Sequence, residues 1–184
     1  LPGVAPAVRL ETAAGLIRLA EVQGVPNRPN IGEVDQARRN LARAEAMLAD
    51  LARAQPADLA VLRELAWARL YQADLAVWQD QRASEGARLL AGVEPLAARI
   101  RSDDPQWRAL ERFRRAVRMD VLGWMERYGE EIAVAEDSLA WLARHPPAER
   151  VTPAFAIARA DALTSRAEGL FYTGRAQASL ADAE

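Results

Sequence analysis

Arginine is the residue of this chain with the clearest capacity for binding chemistry, because all 24 basic residues are arginine. Arg108, Arg112 and Arg115 are spaced to share one helix face, and Glu111 and Arg118 lie near it. Guanidinium groups bind carboxylates through paired hydrogen bonds. The face therefore either lies in solvent or forms a wall that clamps a carboxylate-bearing peptide or a chain terminus.

Side chains that catalyse reactions are few, and each has a structural explanation. The single histidine, His145, precedes two prolines at a predicted helix end, which indicates a solvent-exposed residue interacting with the helix dipole. Asp104 comes directly before a proline, as an N-cap does, and Glu130 and Glu131 fall in the first turn of a predicted helix. We predict no catalytic, cofactor or metal site, and we do not expect an enzyme.

Composition narrows the possible functions further. The chain has no cysteine, which excludes disulfides, thiolate zinc sites and a cysteine nucleophile. A net charge of −2 does not favour binding to nucleic acid, and no run approaches the ~20 apolar residues of a membrane span. The abrupt beginning at Leu1 suggests that the chain is a piece of a longer protein. A chain without cysteine suits the cytoplasm and the periplasm alike, so both compartments stay open.

Helical periodicity and scarce β-branched residues predict an all-α fold in which neighbouring helices are antiparallel. Pro95 should kink or divide the fourth helix at Val93–Glu94, and Gly129 is expected to end the fifth as a left-handed C-cap. Helices are predicted over residues 7–23, 34–54, 57–80, 83–101, 106–128, 130–144 and 153–172, with an eighth beginning after Gly174.

The same order of helix, turn and helix recurs along the chain. Gly86, Gly129 and Gly174 lie 43 and 45 residues apart, and each is expected to mark the turn within a hairpin. This spacing predicts one domain, 1–184, built from hairpins over residues 7–56, 57–104, 105–147 and 148–184.

The first hairpin carries a resemblance to a known family. In the stretch RLAEVQGVPNRPNIGEVDQARRNLARAEAMLADL, from Arg18 to Leu51, the helix that follows Gly32 has Ala37, Leu41 and Ala44 at the packing positions. This pattern resembles the tetratricopeptide (TPR) repeat. Gly129, Val134, Ser138, Trp141 and Pro146 repeat the spacing, and Leu170–Arg175 looks like the turn of a further repeat.

The resemblance implies a right-handed superhelix with a concave groove lined by the first helix of each hairpin. The loop before Gly32 is also similar to TPR arrays in the C-terminal regions of bacterial eukaryotic-like serine/threonine kinases and related regulators. No kinase phosphate-binding or catalytic motif occurs in this chain. The candidate groove residues are Arg69, Tyr71, Trp107, Arg108, Arg112 and Arg115.

The leading hypothesis is a scaffold domain that binds a peptide or partner protein in this groove, within a bacterial signalling or regulatory protein. The alternative is a small-molecule sensor with an apolar pocket between long helices. Self-association into a homodimer is a third possibility, because each hairpin has an apolar face to cover.

Overall fold

The computed structural model describes residues 5–26, 28–101, 105–175 and 177–179, and all regular structure in these ranges is helical. The predicted all-α class is therefore confirmed for this part of the chain. The described residues form two compact units, Leu1–Arg108 and Ala109–Glu184, so the boundary falls inside the sixth helix. The helices are α1 (Pro6–Gly24), α2 (Val34–Ala54), α3 (Leu59–Trp78), α4 (Ala83–Ala91), α5 (Glu94–Ile100), α6 (Pro105–Trp124), α7 (Tyr128–Leu142), α8 (Pro147–Arg150) and α9 (Pro153–Tyr172).

Helix α3 is the centre of the first unit and packs against α1, α2, α4 and α5. Its apolar residues are distributed around the helix and do not form one stripe, and a helix of that kind must be enclosed by other elements. Leu62, Leu65, Leu70 and Leu75 are buried on it. The Asp58 carboxylate caps its N-terminus by accepting hydrogen bonds from the amides of the second and third helical residues, at 2.9 and 3.3 Å.

The α1–α2 hairpin is closed by an unusually close backbone approach. A Cβ atom on Gly24 would lie 2.7 Å from the Cα of Val34, so only glycine fits where α1 ends against the start of α2. Ala37, Leu41 and Ala44 are fully buried on α2, as predicted for packing residues. The hairpin core therefore depends on small residues as much as on large ones.

Helix α4 ends before Pro95, as predicted. Ala91 is its last residue, and α5 begins at Glu94, with the proline in its first turn. Proline lacks the amide hydrogen that a continuous helix needs, but it is tolerated in a first turn.

The second unit is organised around contacts between α6, α7 and α9. Met119, Ala135 and Ala162, one from each helix, form a buried cluster. A Cβ on Gly169 would lie 2.7 Å from Cγ1 of Ile132, so α9 approaches α7 closely. Thr152 caps the N-terminus of α9, because its Oγ1 accepts a hydrogen bond from the amide of Phe155.

A turn of one geometry recurs four times in the described part of the chain. Positive φ angles occur at Gly32 (79°), Gln81 (53°), Glu126 (58°) and Gly174 (77°), which lie 49, 45 and 48 residues apart. The backbone carbonyl of the residue that follows each left-handed position accepts the first amide hydrogen bonds of the next helical segment. In three turns this acceptor has ψ between 51° and 67°. The four acceptor residues are Glu33, Arg82, Arg127 and Arg175.

Of the three glycines predicted to mark turns, Gly174 lies in a left-handed turn, whereas Gly86 and Gly129 do not. Gly86 lies inside α4 and Gly129 lies in the first turn of α7, so neither is a left-handed cap. The prediction of a left-handed Gly129 was wrong because Glu126 adopts that conformation three residues earlier. Asp104, predicted as an N-cap, lies outside the described residues.

The position five residues after each left-handed turn packs inward. Ala37, Gly86 and Ser179 occupy it in three turns, whereas the third turn has Glu131. Each of these residues donates its amide hydrogen to the acceptor carbonyl of its own turn, at 3.0–3.2 Å. A carboxylic acid thus occupies a position that small residues fill elsewhere.

Candidate partner-binding surface

Two of the predicted groove residues, Arg69 and Tyr71, are held within the first unit. Arg69 donates from Nε to Glu45 Oε1 and from Nη1 to the carbonyl oxygen of Gly92, both at 2.9 Å. Tyr71 is 4% exposed, and the Arg28 guanidinium lies 5.4 Å from its ring centroid. Burial, the largest influence, raises the pKa of the Tyr71 hydroxyl far above its usual range. Both side chains therefore serve the fold rather than an open groove.

The next two candidates lie at the start of α6. Trp107 is only 8% exposed, so its ring is part of the protein interior and does not offer a docking surface. Arg108 follows it and is half-buried. The prediction that Trp107 extends a partner-binding wall is not favoured by this burial.

The middle of α6 carries an ion-pair network built on a buried carboxylate. Glu111 is 4% exposed and accepts hydrogen bonds from Nε and Nη2 of Arg114, both at 2.8 Å. It also accepts a bond of 2.8 Å from Nε of Arg115. A buried carboxylate is stable when charged donors satisfy its oxygens, and two arginines do so here.

Arg115 connects this network to α7. Its Nη1 donates to Asp137 Oδ2 at 2.6 Å, and its guanidinium lies 5.0 Å from the ring centroid of Trp141. The hydrogen bond from Arg115, the largest influence, lowers the pKa of Asp137 below its usual value. With its side chain 14% exposed, Arg115 is a cross-link between α6 and α7. Arg115 was predicted to line a binding groove, but its guanidinium is already bound to Glu111 and Asp137 in this network.

Arg118, which lies near the predicted arginine face, takes no part in the ion-pair network. Arg118 is exposed on α6 and has no hydrogen-bond or ion-pair partner among the described residues. It lines a surface cavity of about 240 Å³ between α6 and α7. The other lining residues are Arg114, Arg115, Ala133, Val134 and Asp137. Three guanidinium groups and a single carboxylate thus border this cavity, which is a suitable setting for an anionic group.

Arg112, the remaining candidate, borders a different and much smaller space. This cavity between α6, α7 and α9 has a volume of about 10 Å³, enough for about one water molecule. Met119, Trp141 and Ala158 are among its other lining residues. Arg112 and Arg115 share a helix face as predicted, but that face turns partly toward the unit's own interior.

His145 also differs from its prediction. It is 4% exposed, and its ring stacks edge-on against Trp141 at 4.2 Å and against Phe155 at 6.0 Å. Its Nδ1 lies 3.2 Å from the carbonyl oxygen of Trp141. The expectation of a solvent-exposed residue was wrong because Phe155 of α9 packs against the ring and Arg150 of α8 donates from Nε to the His145 carbonyl oxygen at 2.8 Å.

An exposed aromatic cluster at the other end of α7 was missed by sequence reasoning. Tyr128, Phe171 and Tyr172 meet there, although they come from the start of α7 and the end of α9. The only available signal was that Phe171 and Tyr172 sit together just before the predicted Gly174 turn. Their meeting with Tyr128 depends on the packing of α7 against α9, which periodicity alone does not specify.

Comparison with family models, with curated proteins and with solved structures finds no match. In the described ranges no helix is long and apolar enough to cross a membrane. No group of three or more histidine, aspartate or glutamate residues within those ranges is arranged to hold a metal ion. The surface features of the chain itself are therefore the basis for a functional proposal.

Proposed function

We propose that this chain is a protein-interaction domain of TPR-like helical hairpins, which binds an acidic segment of a partner at the α6–α7 cavity. The single observation that carries the proposal is the exposed, unpartnered guanidinium of Arg118 in a cavity of about 240 Å³ bordered by two further arginines. A right-handed stacking of the hairpins and a bacterial signalling context belong to the same proposal.

The recurrent turns support the hairpin part of the proposal. Four left-handed turns at spacings of 45–49 residues are followed by helical segments that begin with the same hydrogen bonds. Stacked modules of that kind present side chains on rigid helices and bind partners with little backbone change.

The arrangement at the cavity supports the acidic character of the bound segment. Arg114 and Arg115 are held in place by Glu111 and Asp137, so they contribute fixed positive charge at the edge of the cavity. Arg118 is the guanidinium that donates to an entering carboxylate. Arg118 supplies the charge that no carboxylate of the described residues neutralises. An Asp or Glu side chain, or a C-terminal carboxylate, matches this donor set.

The sensor alternative has less support. The interior cavity between α6, α7 and α9 is about 10 Å³, whereas small-molecule pockets typically measure about 300–1,000 Å³. No observation in the described residues favours a metabolite over a polypeptide.

Selection from a displayed peptide library against the immobilised chain tests the proposal. We expect enrichment of peptides with Asp, Glu or a free C-terminus, and at least tenfold weaker binding of the selected peptides to Arg118→Glu. Arg159→Glu is the matched control, because Arg159 is exposed on α9 away from the cavity residues. Peptides without acidic groups, or equal binding to both variants, refute the Arg118 site.

A second comparison separates side-chain from main-chain carboxylates. Each selected peptide is measured with a free and with an amidated C-terminus by isothermal titration calorimetry. A loss on amidation identifies a chain terminus as the bound group. Unchanged binding together with a loss on Asp→Asn or Glu→Gln substitution in the peptide identifies an acidic side chain.

A further inference from the structure

The aromatic cluster at the α7–α9 end of the second unit is a surface with its own binding chemistry. The rings of Tyr128 and Tyr172 stack with centroids 4.6 Å apart and an interplanar angle of 14°. Phe171 packs edge-on against Tyr172 at 5.4 Å. Phe171 and Tyr172 are 61% and 57% exposed, so two large aromatic side chains lie mainly in water. Aromatic residues in such a position are typical anchors for a partner.

Negative charge surrounds the cluster. Glu126 and Glu168 are exposed, and neither has an ion-pair partner among the described residues. Glu126 lies two residues before Tyr128, and Glu168 lies one helical turn before Tyr172 on α9, so both carboxylates border the stacked rings. Desolvation, followed by negative charges that include these two carboxylates, raises the pKa of the Tyr128 hydroxyl above its usual value.

Arg127 and Arg175 lie next to the cluster in sequence, and among the described residues neither pairs with Glu126 or Glu168. Arg127 donates from Nε and Nη2 to the two carboxylate oxygens of Glu130, at 2.7 and 2.6 Å. Arg175 donates from Nε to the hydroxyl of Thr173 at 3.4 Å. Electron-rich ring faces and unpaired carboxylates therefore occur together, and both attract cations.

We propose that the surface formed by Tyr128, Phe171, Tyr172, Glu126 and Glu168 binds an arginine-bearing segment of a partner protein. A guanidinium stacks flat on an aromatic ring and at the same time donates to a carboxylate, which an ammonium group does less well. Arginine is thus preferred over lysine at this surface. The inference goes beyond the α6–α7 cavity, because it assigns a second surface of opposite charge preference.

The probe is a blocked tri-arginine peptide, titrated into the isotopically labelled chain and followed by two-dimensional NMR. We expect chemical-shift changes centred on residues 126–128 and 168–172. Tri-lysine should bind more weakly, and tri-citrulline, which keeps the shape but not the charge, should cause no shifts at these residues. Shifts of equal size with tri-citrulline, or shifts only elsewhere on the chain, overturn the proposal.

Two substitutions at exposed positions test the chemistry without loss of the fold. Phe171→Ala and Glu168→Gln should each weaken tri-arginine binding roughly two- to fivefold, the range expected for an exposed cation–π contact. Ile157→Ala is the matched control, since Ile157 is also 61% exposed on α9. Equal affinity of all three variants and the wild type refutes the assignment.

A second copy of the chain is the competing occupant of this surface. If it binds there, the free chain should show shifts at residues 126–128 and 168–172 that grow with protein concentration and vanish in Phe171→Ala. That result replaces the arginine-bearing partner with self-association. Neither outcome depends on Arg118, so failure here is distinguishable from failure at the α6–α7 cavity.

Discussion

Replacement of Glu131 by glutamine should stabilise this protein at neutral and alkaline pH. Glu131 is 2% exposed on α7, and its Oε2 is buried with no hydrogen-bond partner among the described residues. Burial, the largest influence, and the negative charges of Glu168 and Asp120 raise its pKa from 4.5 to about 7. Glutamine keeps the shape of the side chain and never ionises.

The magnitude follows from linkage between protonation and folding. Between pH 4.5 and about 7 the folded chain keeps a proton on Glu131 that the unfolded chain has released, so stability falls as pH rises through this window. Above the window the loss is complete. One pKa unit corresponds to about 1.4 kcal/mol, which gives about 3 kcal/mol for this shift. Partial access of water to the carboxylate lowers this free-energy difference, so we expect a loss of about 2–3 kcal/mol of stability.

Urea unfolding followed by circular dichroism between about pH 5 and pH 8 measures this difference. Glu131→Gln and the wild type should have similar stability near pH 5, and the variant should gain about 2–3 kcal/mol relative to the wild type by pH 8. Glu136→Gln, on the exposed side of the same helix, should follow the wild type at every pH. A variant that keeps the wild-type pH dependence would show that Glu131 is not the titrating group.

Four further substitutions, three tests and one matched control, probe the packing arguments, each by its free energy of unfolding. Gln81→Gly should stabilise by about 0.5–1 kcal/mol, because Gln81 holds a φ of 53° that glycine adopts without strain; a loss of stability contradicts the left-handed turn. Gly24→Ala should destabilise by about 2 kcal/mol or more, since its Cβ meets backbone atoms, whereas Gly15→Ala, with nothing within 4 Å, should stabilise by about 0.5–1 kcal/mol. Equal effects at the two glycines contradict the close approach. Glu111→Gln should cost about 2–4 kcal/mol by leaving two half-buried arginines short of a counter-charge, and an unchanged stability contradicts the network.

Helix content and most helix bounds were predictable from the sequence, because proline and apolar periodicity act locally. Helix α2 was predicted with its observed bounds, and the division at Pro95 was predicted from the missing amide hydrogen. Helix α8 was not predicted, since four residues are too few to show periodicity. The TPR-like stacking of the hairpins stays a prediction.

The repeat spacing and the binding residues were harder to predict, for separate reasons. Two of the four left-handed turns use Gln81 and Glu126 instead of glycine, so counting glycines gave the wrong turn positions. The role of Arg115 depends on Asp137, which is 22 residues distant and reaches it only through the packing of α6 on α7. Spacing placed the arginines on one helix face, but it could not identify which guanidinium already had partners.

The packing of each helix on near neighbours in the chain has a consequence for how the protein folds. Extensive packing among the described residues joins helices that are adjacent or next but one in sequence, as α1 with α2, α2 with α3 and α7 with α9. Such contacts close short loops, and chains dominated by them reach the native state rapidly, typically within microseconds to milliseconds. Assembly should therefore begin at several places along the chain and spread outward from each.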